Sequence, residues 1–230
     1  MESILSALPV FDPRIIPVEA TDHHLPKVHQ DHLQGHALRQ RFAHPPAWAP
    51  EINSDGRIAQ RSPVPAAVLV PLVMRDELMV LLTERTTRMS SHSGQVAFPG
   101  GKADPEDANV QATALREAEE EIGLASRFIE VIGMLPIYTT VTAFEVTPVV
   151  ALVEPGFEVT PNPIEVASVF EVPLAFLMDP ANHRRHAVQW EGVRREWLSM
   201  PYQDAEDERF IWGATAAMLR NLYTFLSAPL

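Results

Sequence analysis

Residues 81–124 constrain the fold most, because they place a glycine pair one short loop before a helix that is loaded with carboxylates. The stretch reads LLTERTTRMSSHSGQVAFPGGKADPEDANVQATALREAEEEIGL. The pair is Gly100-Gly101, and glycine allows the backbone to approach another group closely. The helix is predicted over residues 109–122. This order of elements is typical of a site for metal ions and phosphate groups, so the remaining chain has to form a core that supports both.

Three glutamates of the predicted helix share one face. At about 100° per residue, they project within a sector of about 100°. They are Glu117, Glu120 and Glu121. Three such carboxylates on their own are consistent with a solvated acidic face. The preceding glycine pair and Arg116, which can brace Glu120 one turn on, favour a site for a hard divalent cation instead. The side expected to pack on a core carries Leu115, Ala118 and Ile122.

These residues resemble the Nudix box, a pattern that joins a glycine and a glutamate to the run Arg-Glu-apolar-any-Glu-Glu-any-Gly-apolar. The second half matches at Arg116, Glu117, Ala118, Glu120, Glu121, Gly123 and Leu124. The first half departs from the pattern, because the distance from Gly101 to Arg116 is one residue longer and Ala108 stands where a glutamate is expected. Glu106 and Asp107 are the candidate substitutes.

The segment just upstream, LLTERTTRMSSHSGQVAFPGG, is similar to the signature of the coenzyme A pyrophosphatase branch of the Nudix hydrolases. In that branch the spacing between the glycine pair and the arginine tends to be longer, with Asp in place of the first glutamate. The departure of this chain from the general box therefore favours the branch. The two motifs cover about a fifth of the chain. The resemblance implies an α/β/α sandwich with a mixed β-sheet. It also implies metal-dependent hydrolysis of coenzyme A or its derivatives to 3′,5′-ADP and 4′-phosphopantetheine.

Two other functions remain open under this resemblance. One is a pyrophosphatase for ADP-ribose, dinucleotides or nucleoside triphosphates. The other is a Nudix-fold sensor that binds a nucleotide without turnover, although a sensor is expected to have lost glutamates of the box.

The resemblance also implies roles for individual residues. The expected ligands of Mg²⁺ or Mn²⁺ are Glu117, Glu120 and Glu121. The expected catalytic group consists of Glu120, Glu121 and Arg116, the last as a brace for the carboxylates. The expected substrate contacts are Gly100, Gly101, Arg85 and Arg88, although both arginines are equally consistent with a plain surface position. Weaker candidates are Glu165, His92 and Gln95.

The composition excludes several classes of function. The net charge of −12 disfavours a nucleic-acid partner, since phosphate contacts need basic residues. The absence of cysteine excludes disulfides and thiol chemistry and fits a cytoplasmic location. No apolar run approaches the roughly 18 residues that span a bilayer. The resemblance implies a small, coenzyme A-like nucleotide as the partner, with a homodimer left open.

Proline spacing divides the chain into an N-terminal arm, residues 1–62, and a hydrolase domain, residues 63–230. The arm contains a possible helix over 29–42, with His32 and His36 at a spacing that can chelate a metal, although clustered histidines on an arm are more often solvated. Strand-like runs are residues 64–74, 77–85, 127–135, 144–153, 186–190 and 195–200. The first two are predicted to form a hairpin across Arg75-Asp76, and the last two a hairpin across Glu191-Gly192.

Several local features complete the prediction. Residues 164–179 indicate a turn or short helix, a strand, and a helix after Pro173. Residues 209–226 are predicted to form a closing helix. Pro71 suggests an edge strand or a bulge. In the glutamate helix, Asp107 is the expected N-cap and Gly123 is expected at the C-terminus. Arg184-Arg185 is expected to be a solvated pair in a loop. In the coenzyme A branch, the resemblance implies a Thr-rich loop near the substrate, in which Ala143 of this chain replaces the usual glycine.

Overall fold

The computed structural model describes residues 12–55, 62–86, 94–190, 192–205 and 207–229. Its helices are α1 (Gly35–Ala43), α2 (Val110–Ile122), α3 (Leu174–Leu177) and α4 (Gly213–Ser227). Its strands are β1 (Val18–Thr21), β2 (Val64–Met74), β3 (Leu78–Arg85), β4 (Val96–Ala97), β5 (Gly100–Lys102), β6 (Ile129–Met134), β7 (Tyr138–Thr139), β8 (Phe144–Val153), β9 (Val166–Pro173), β10 (Arg184–Trp190), β11 (Val193–Asp204) and β12 (Asp207–Trp212). Within these ranges, no helix is long and apolar enough to cross a membrane.

A mixed eight-stranded sheet forms the centre of the fold. β2 and β3 form the predicted antiparallel hairpin, and β2 also runs parallel to β8 along ten residue pairs from Val64↔Phe144 to Val73↔Val153. The main path has the order β4-β3-β2-β8-β6, with β5 beside β2, β7 beside β8 and β9 beside β3. β2 and β8 are apolar on both faces, as strands covered on both sides must be.

Helices cover both faces of this sheet. On one face, Ala118 and Ile122 of α2 pack against Leu69 of β2. On the other face, Leu222 of α4 packs in a cluster with Val70 of β2, together with buried residues of α1 and α3. The predicted α/β/α sandwich with a mixed sheet is confirmed.

Of the two alternatives predicted for Pro71, the edge strand is wrong, because β2 has neighbouring strands on both sides. β2 pairs with β5 over residues 66–68 and with β3 over residues 72–74. Pro71 falls between these two pairings, where its missing N–H interrupts neither antiparallel ladder. On its other side it pairs in parallel register with Ala151. A change of partner along one strand therefore accommodates this proline.

The closing helix is shorter than predicted, because residues 209–212 belong to a strand. β12 pairs with β11, placing Ile211 opposite Met200. Aromatic and β-branched residues favour strands, and the run FIW supplies three of them. α4 begins only at Gly213, which has a φ of 60°. The remaining part of the predicted closing helix is helical. Its apolar residues at helical spacing lie in α4, namely Ala214, Met218, Leu222 and Phe225.

A second sheet of four antiparallel strands has the order β1-β10-β11-β12. The predicted hairpin across residues 191–192 is present, since Trp190 pairs with Val193. β1 comes from the segment assigned to the arm, and Val18 pairs with His186. The helix expected over 29–42 consists of a 3₁₀ turn, Gln30–Leu33, followed by α1. The two histidines proposed for metal chelation therefore do not share one helix.

A network of ion pairs joins the N-terminal segment to β10 and α4. The basic pair at 184–185, expected in a solvated loop, begins β10 instead, and Arg185 donates to both oxygens of Asp22 at 2.8 and 2.7 Å. Arg185 also donates to Glu51 at 2.7 Å. Arg220 of α4 lies 3.1 Å from Asp22 and 2.6 Å from Glu51. Asp22 and Arg220 are 3% and 2% exposed, so these charges are buried and depend on one another.

Ala143 adopts a backbone conformation that favours glycine. Its φ is 67°, in the left-handed region where a side chain is disfavoured. Its N–H donates to the Thr140 carbonyl at 3.0 Å, and its own carbonyl accepts from Val64 at 2.9 Å. These bonds keep the turn in place with alanine at a position that glycine adopts more easily.

Candidate active site

Helix α2 is fixed at both ends by local contacts. Asn109, and not Asp107, caps its N-terminus, because the Asn109 side chain accepts a hydrogen bond from the Ala112 N–H at 3.0 Å. Gly123 ends the helix as predicted, with a φ of 69°, and its N–H donates to the Glu119 carbonyl at 2.9 Å. The helix thereby presents its glutamates at fixed positions against β5.

The three glutamates do not all point outward, contrary to the prediction. The side chain of Glu121 is 5% exposed, that of Glu117 is 16% exposed and that of Glu120 is 60% exposed. Glu117 and Glu121 lie one turn apart and both face the glycine pair of β5. Glu120 lies at the flank of the pair, toward solvent. The structure therefore brings two carboxylates together in a sheltered position and leaves the third at its margin.

The glycine pair allows this close approach. The Gly100 N–H donates to Oε2 of Glu121 at 3.1 Å. A Cβ added to Gly101 would lie 2.5 Å from Oε2 of Glu117, and one added to Gly100 would lie 2.5 Å from the carbonyl oxygen of Ala67. The clash at Gly100 is with backbone, whereas the clash at Gly101 is with the end of a side chain. The backbone therefore contacts both sheltered carboxylates, as the sequence predicts for this turn.

Negative charge accumulates around the two sheltered carboxylates. Burial raises the pKa of Glu121 to about 7, against the lowering effect of the Gly100 N–H. The charges of Glu165 and Glu117 act in the same direction as burial. Burial likewise raises the pKa of Glu117, even though Arg116 opposes it. The arginines nearby thus do not offset the effect of burial, so the ionised form of the pair is disfavoured unless a cation stabilises it.

Arg116 braces the carboxylates from the side of the loop. It donates to both oxygens of Asp107 at 3.0 and 2.9 Å. Its Nη1 donates at 3.0 Å to Glu117 and at 3.0 Å to Glu120, the second being the brace that the sequence predicts. These contacts hold the pKa of Asp107 well below its usual range. Of the two candidate acids in the loop, Glu106 and Asp107, it is therefore Asp107 that pairs with Arg116.

The loop between β8 and β9 closes the C-terminal end of α2. The Thr160 N–H donates to the Ile122 carbonyl and the Asn162 N–H donates to the Glu121 carbonyl, both at 2.8 Å. These bonds satisfy carbonyls that the helix itself leaves free. The Glu165 N–H in turn donates to the Asn162 carbonyl at 3.0 Å, which places Glu165 near the glutamates. Sequence analysis finds Glu165 only as a weak candidate and misses Thr160 and Asn162, because backbone contacts leave no residue pattern.

Arg85, at the end of β3, is the predicted substrate contact that lies at the carboxylates along with the glycines. Its Nη1 is 3.6 Å from Oε1 of Glu121. Its N–H donates to the carbonyl of Gln95 at 3.0 Å, so Gln95 contributes its backbone here. The other two candidates, Arg88 and His92, lie outside the described residues.

The donor chemistry of this site fits a hard divalent cation. Glu117 and Glu121 offer carboxylate oxygens, which are the ligands that such ions prefer. Among the described residues, no group of three or more His, Cys, Asp or Glu side chains is spaced to hold a metal. Arg116 and Arg85 contact the carboxylates instead. Glu117 and Glu121 are therefore the residues that would hold a cation once those contacts rearrange.

Comparisons with known proteins identify the family of this chain. The NUDIX domain family matches residues 63–204. A Nudix hydrolase NudL of Enterobacter sp. (strain 638), described as uncharacterized, is 44% identical over 158 residues, which cover 68% of this chain and 80% of that protein. A relative of the same description from Escherichia coli O1:K1 / APEC is 42% identical over 158 residues, with the same coverage of 68% and 80%.

Solved structures of the same family show a limited likeness. A binary complex of a C. elegans Ap4A hydrolase has a TM-score of 0.42 and 20% identity, covering 51% of this chain and 85% of that one. The M. smegmatis Nudix hydrolase RenU has a TM-score of 0.42 and 23% identity, covering 50% and 73%. The sequence matches are the decisive ones, since they span most of the chain around the glutamate helix, and they show that this chain belongs to the Nudix hydrolase family.

Proposed function

We propose that this chain is a pyrophosphatase that depends on Mg²⁺ or Mn²⁺ and cleaves coenzyme A or its derivatives to 3′,5′-ADP and 4′-phosphopantetheine. The observation that carries the reaction class is the pair Glu117 and Glu121, one turn apart on α2 and sheltered against Gly100-Gly101. The substrate class is supported by the upstream segment LLTERTTRMSSHSGQVAFPGG, which resembles the coenzyme A branch of the family.

The charge of the chain fits this chemistry. A pyrophosphate is a polyanion, and the chain has a net charge of −12, so substrate and protein repel each other without a cation. A bound divalent cation neutralises the phosphates and activates water for attack on phosphorus. Glu117 and Glu121 are the proposed ligands. Glu120, which is more exposed, is a third ligand or the base that orients the water.

The remaining site residues have supporting roles in this proposal. Arg116 keeps Glu117 and Glu120 in position through its anchor on Asp107. The loop residue Glu165 adds a further acid beside the ligands. Gly100 brings its backbone N–H to the carboxylate of Glu121.

One substrate panel tests the proposal. The protein is incubated with coenzyme A, ADP-ribose, a dinucleotide and dNTPs in Mg²⁺ or Mn²⁺, and the products are separated by ion-exchange chromatography. We expect selective cleavage of coenzyme A to 3′,5′-ADP. Preference for ADP-ribose, dinucleotides or triphosphates would overturn the substrate class. Tight nucleotide binding without turnover would support a sensor and overturn the catalytic proposal.

A further inference from the structure

A short turn beside the glutamates of α2 carries Glu165. The turn consists of residues 162–165, and Asn162 at its start lies between two prolines, whose rings restrict the backbone. The Asn162 N–H donates to the Glu121 carbonyl at 2.8 Å. The turn is therefore joined directly to the backbone of a proposed metal ligand.

Two residues bind the backbone polar groups of Ile164 and Glu165. The Ile164 N–H donates to Oδ1 of Asn162 at 3.1 Å, and the Ile164 carbonyl accepts from the Thr86 hydroxyl at 2.8 Å. The Glu165 N–H donates to the Asn162 carbonyl at 3.0 Å, and the Glu165 carbonyl accepts from the Thr86 N–H at 2.9 Å. Asn162 thus binds the N–H groups of the turn, and Thr86 binds its carbonyls.

Thr86 follows the point at which the pairing of β3 with β9 becomes irregular. The register shifts between Glu84 and Arg85, so that β9 has one extra residue, Ala167, at this point. Such a shift is typical of a β-bulge, which bends the strand and is common next to active sites. Thr86 is 8% exposed, so its hydrogen bonds to the turn are sheltered from water.

Glu165 acts on the sheltered glutamates through its charge. It raises the pKa of both Glu117 and Glu121, as a neighbouring negative charge does. The same charge attracts a cation bound by those two carboxylates. Within the described part of the chain, no group of three His, Cys, Asp or Glu side chains is spaced to hold a metal. The contribution of Glu165 is therefore one of charge and not of ligation.

We propose that Thr86 is a positioning residue: its hydroxyl holds the turn that carries Glu165, so that the charge of Glu165 strengthens the binding of a divalent cation by the two sheltered glutamates. This inference rests on the proposed function, since it assumes that Glu117 and Glu121 bind the cation. Asn162 supports the same turn through Oδ1. Loss of either side-chain bond lets the turn move and takes the Glu165 carboxylate away from the cation.

Calorimetry on the full chain tests this with a double-mutant cycle. Mn²⁺ is titrated into the substrate-free protein at about pH 8, above the pKa of about 7 of Glu121. We expect Glu165→Gln to weaken Mn²⁺ binding about 10-fold, and Thr86→Val, which keeps the shape of threonine without its hydroxyl, to weaken it about 4-fold. In the Glu165→Gln background, Thr86→Val should change the affinity by less than about 2-fold.

The dependence on Glu165 separates positioning from a general loss of structure. If Thr86→Val weakens Mn²⁺ binding equally with and without the Glu165 carboxylate, Thr86 acts on another group and the inference is overturned. Unchanged Mn²⁺ binding in either single variant, Thr86→Val or Glu165→Gln, overturns it as well.

Three further variants sharpen this result. Thr86→Ser keeps the hydroxyl, and we expect its Mn²⁺ affinity to stay within about 2-fold of that of the unmodified protein. Asn162→Ala should weaken Mn²⁺ binding as Thr86→Val does, and again only when Glu165 is present. Tyr223→Phe is the control, because it removes a hydroxyl that donates to the Pro26 carbonyl at 2.7 Å, away from the site. If Thr86→Ser or Tyr223→Phe weakens Mn²⁺ binding as much as Thr86→Val, the inference fails.

A separate variant distinguishes failure of this inference from failure of the proposed function. If Glu121→Gln binds Mn²⁺ as tightly as the unmodified protein, Glu121 is not a ligand, and the proposed metal site itself is wrong. If Glu121→Gln loses Mn²⁺ binding but Thr86→Val keeps it in full, the metal site is right and only the role of Thr86 is wrong.

Discussion

Gly100 and Gly101 are neighbours in the chain, yet a side chain at each would meet different atoms. At Gly101 the added Cβ meets the carboxylate end of Glu117, which is flexible and can move aside. At Gly100 it meets the backbone of Ala67 and Val68 at 2.5 and 2.6 Å, which cannot. Glycine at position 101 therefore leaves the Glu117 carboxylate in place, and glycine at position 100 leaves the backbone of the sheet in place.

This contrast gives a paired prediction. We expect Gly101→Ala to lower kcat/KM by about 100-fold, because Glu117 is displaced, with little loss of stability. We expect Gly100→Ala to lower the free energy of unfolding by about 1–3 kcal/mol through overpacking. Steady-state kinetics and urea unfolding of both variants check this. Equal effects of the two substitutions on stability would contradict it.

Glu121 is the residue on which the proposed chemistry depends most. We expect Glu121→Gln to lower kcat by orders of magnitude, because a neutral amide is a poor metal ligand. We expect its metal-free stability to be equal or higher, since the substitution removes a buried carboxyl whose pKa is raised. Kinetics and thermal unfolding measure the two effects. Glu119→Gln, at an exposed position of the same helix, is the control and should change neither.

The elements of the central sheet could be predicted where local pattern decides the structure. The hairpin at Arg75-Asp76, the strand Phe144–Val153 and the end of α2 at Gly123 follow from apolar runs and turn residues. The strand at residues 209–212 could not, because its apolar residues continue directly into the apolar repeat of α4. Its pairing with β11, and not the local pattern, makes it a strand.

The candidate site also has some features that the local sequence predicts and others that it does not. Its glutamates, glycines and Arg116 could be found from their spacing. The burial of Glu121 could not, because it depends on how β5 packs against α2. The hydrogen bond from the Asn162 N–H to the Glu121 carbonyl could not be predicted either, because it is made by the backbone. Sequence spacing thus identifies the chemical groups, and packing decides which of them are sheltered.

The contact of β1 and α4 with β10 rests on buried charges, which gives a prediction for stability. Asp22→Ala leaves Arg220, which is 2% exposed, without one of its two carboxylates. We expect this to lower the free energy of unfolding by about 3–5 kcal/mol. Glu130→Ala, which removes the half-exposed partner of Arg39, should cost about 1 kcal/mol or less. Urea unfolding compares the two, and similar losses would contradict the importance of burial.

The stability of the whole molecule should depend on pH through His183. Burial lowers the pKa of His183 to about 4, although its hydrogen bond to the Leu177 carbonyl opposes this. Arg220 donates to Nδ1 of the same ring at 2.9 Å, which requires the neutral form. Since the unfolded chain has a histidine pKa of about 6.5, it binds more protons than the folded chain between pH 6.5 and 4. This contribution to stability is therefore complete above pH 6.5 and is lost as the pH falls toward 4.

We expect His183→Gln to flatten this dependence. The slope of unfolding free energy against pH should decrease by up to about 1.4 kcal/mol per pH unit between pH 4 and 6.5, because glutamine does not titrate there. Urea unfolding at half-unit pH steps measures both slopes. An unchanged slope in His183→Gln would show that other groups control the acid sensitivity.

The pairing of Asp22 with Arg185 bears on how the chain folds while it is being made. These partners are separated by 163 positions, and β1 can pair with β10 only after both have been synthesised. At a translation rate of about 5–20 residues per second, Asp22 is exposed for about 10–30 s before Arg185 is added. The strands of the central sheet, all within residues 64–173, are complete earlier. The central sheet can therefore form first, and the second sheet then brings the early segment of the chain onto a core that already exists.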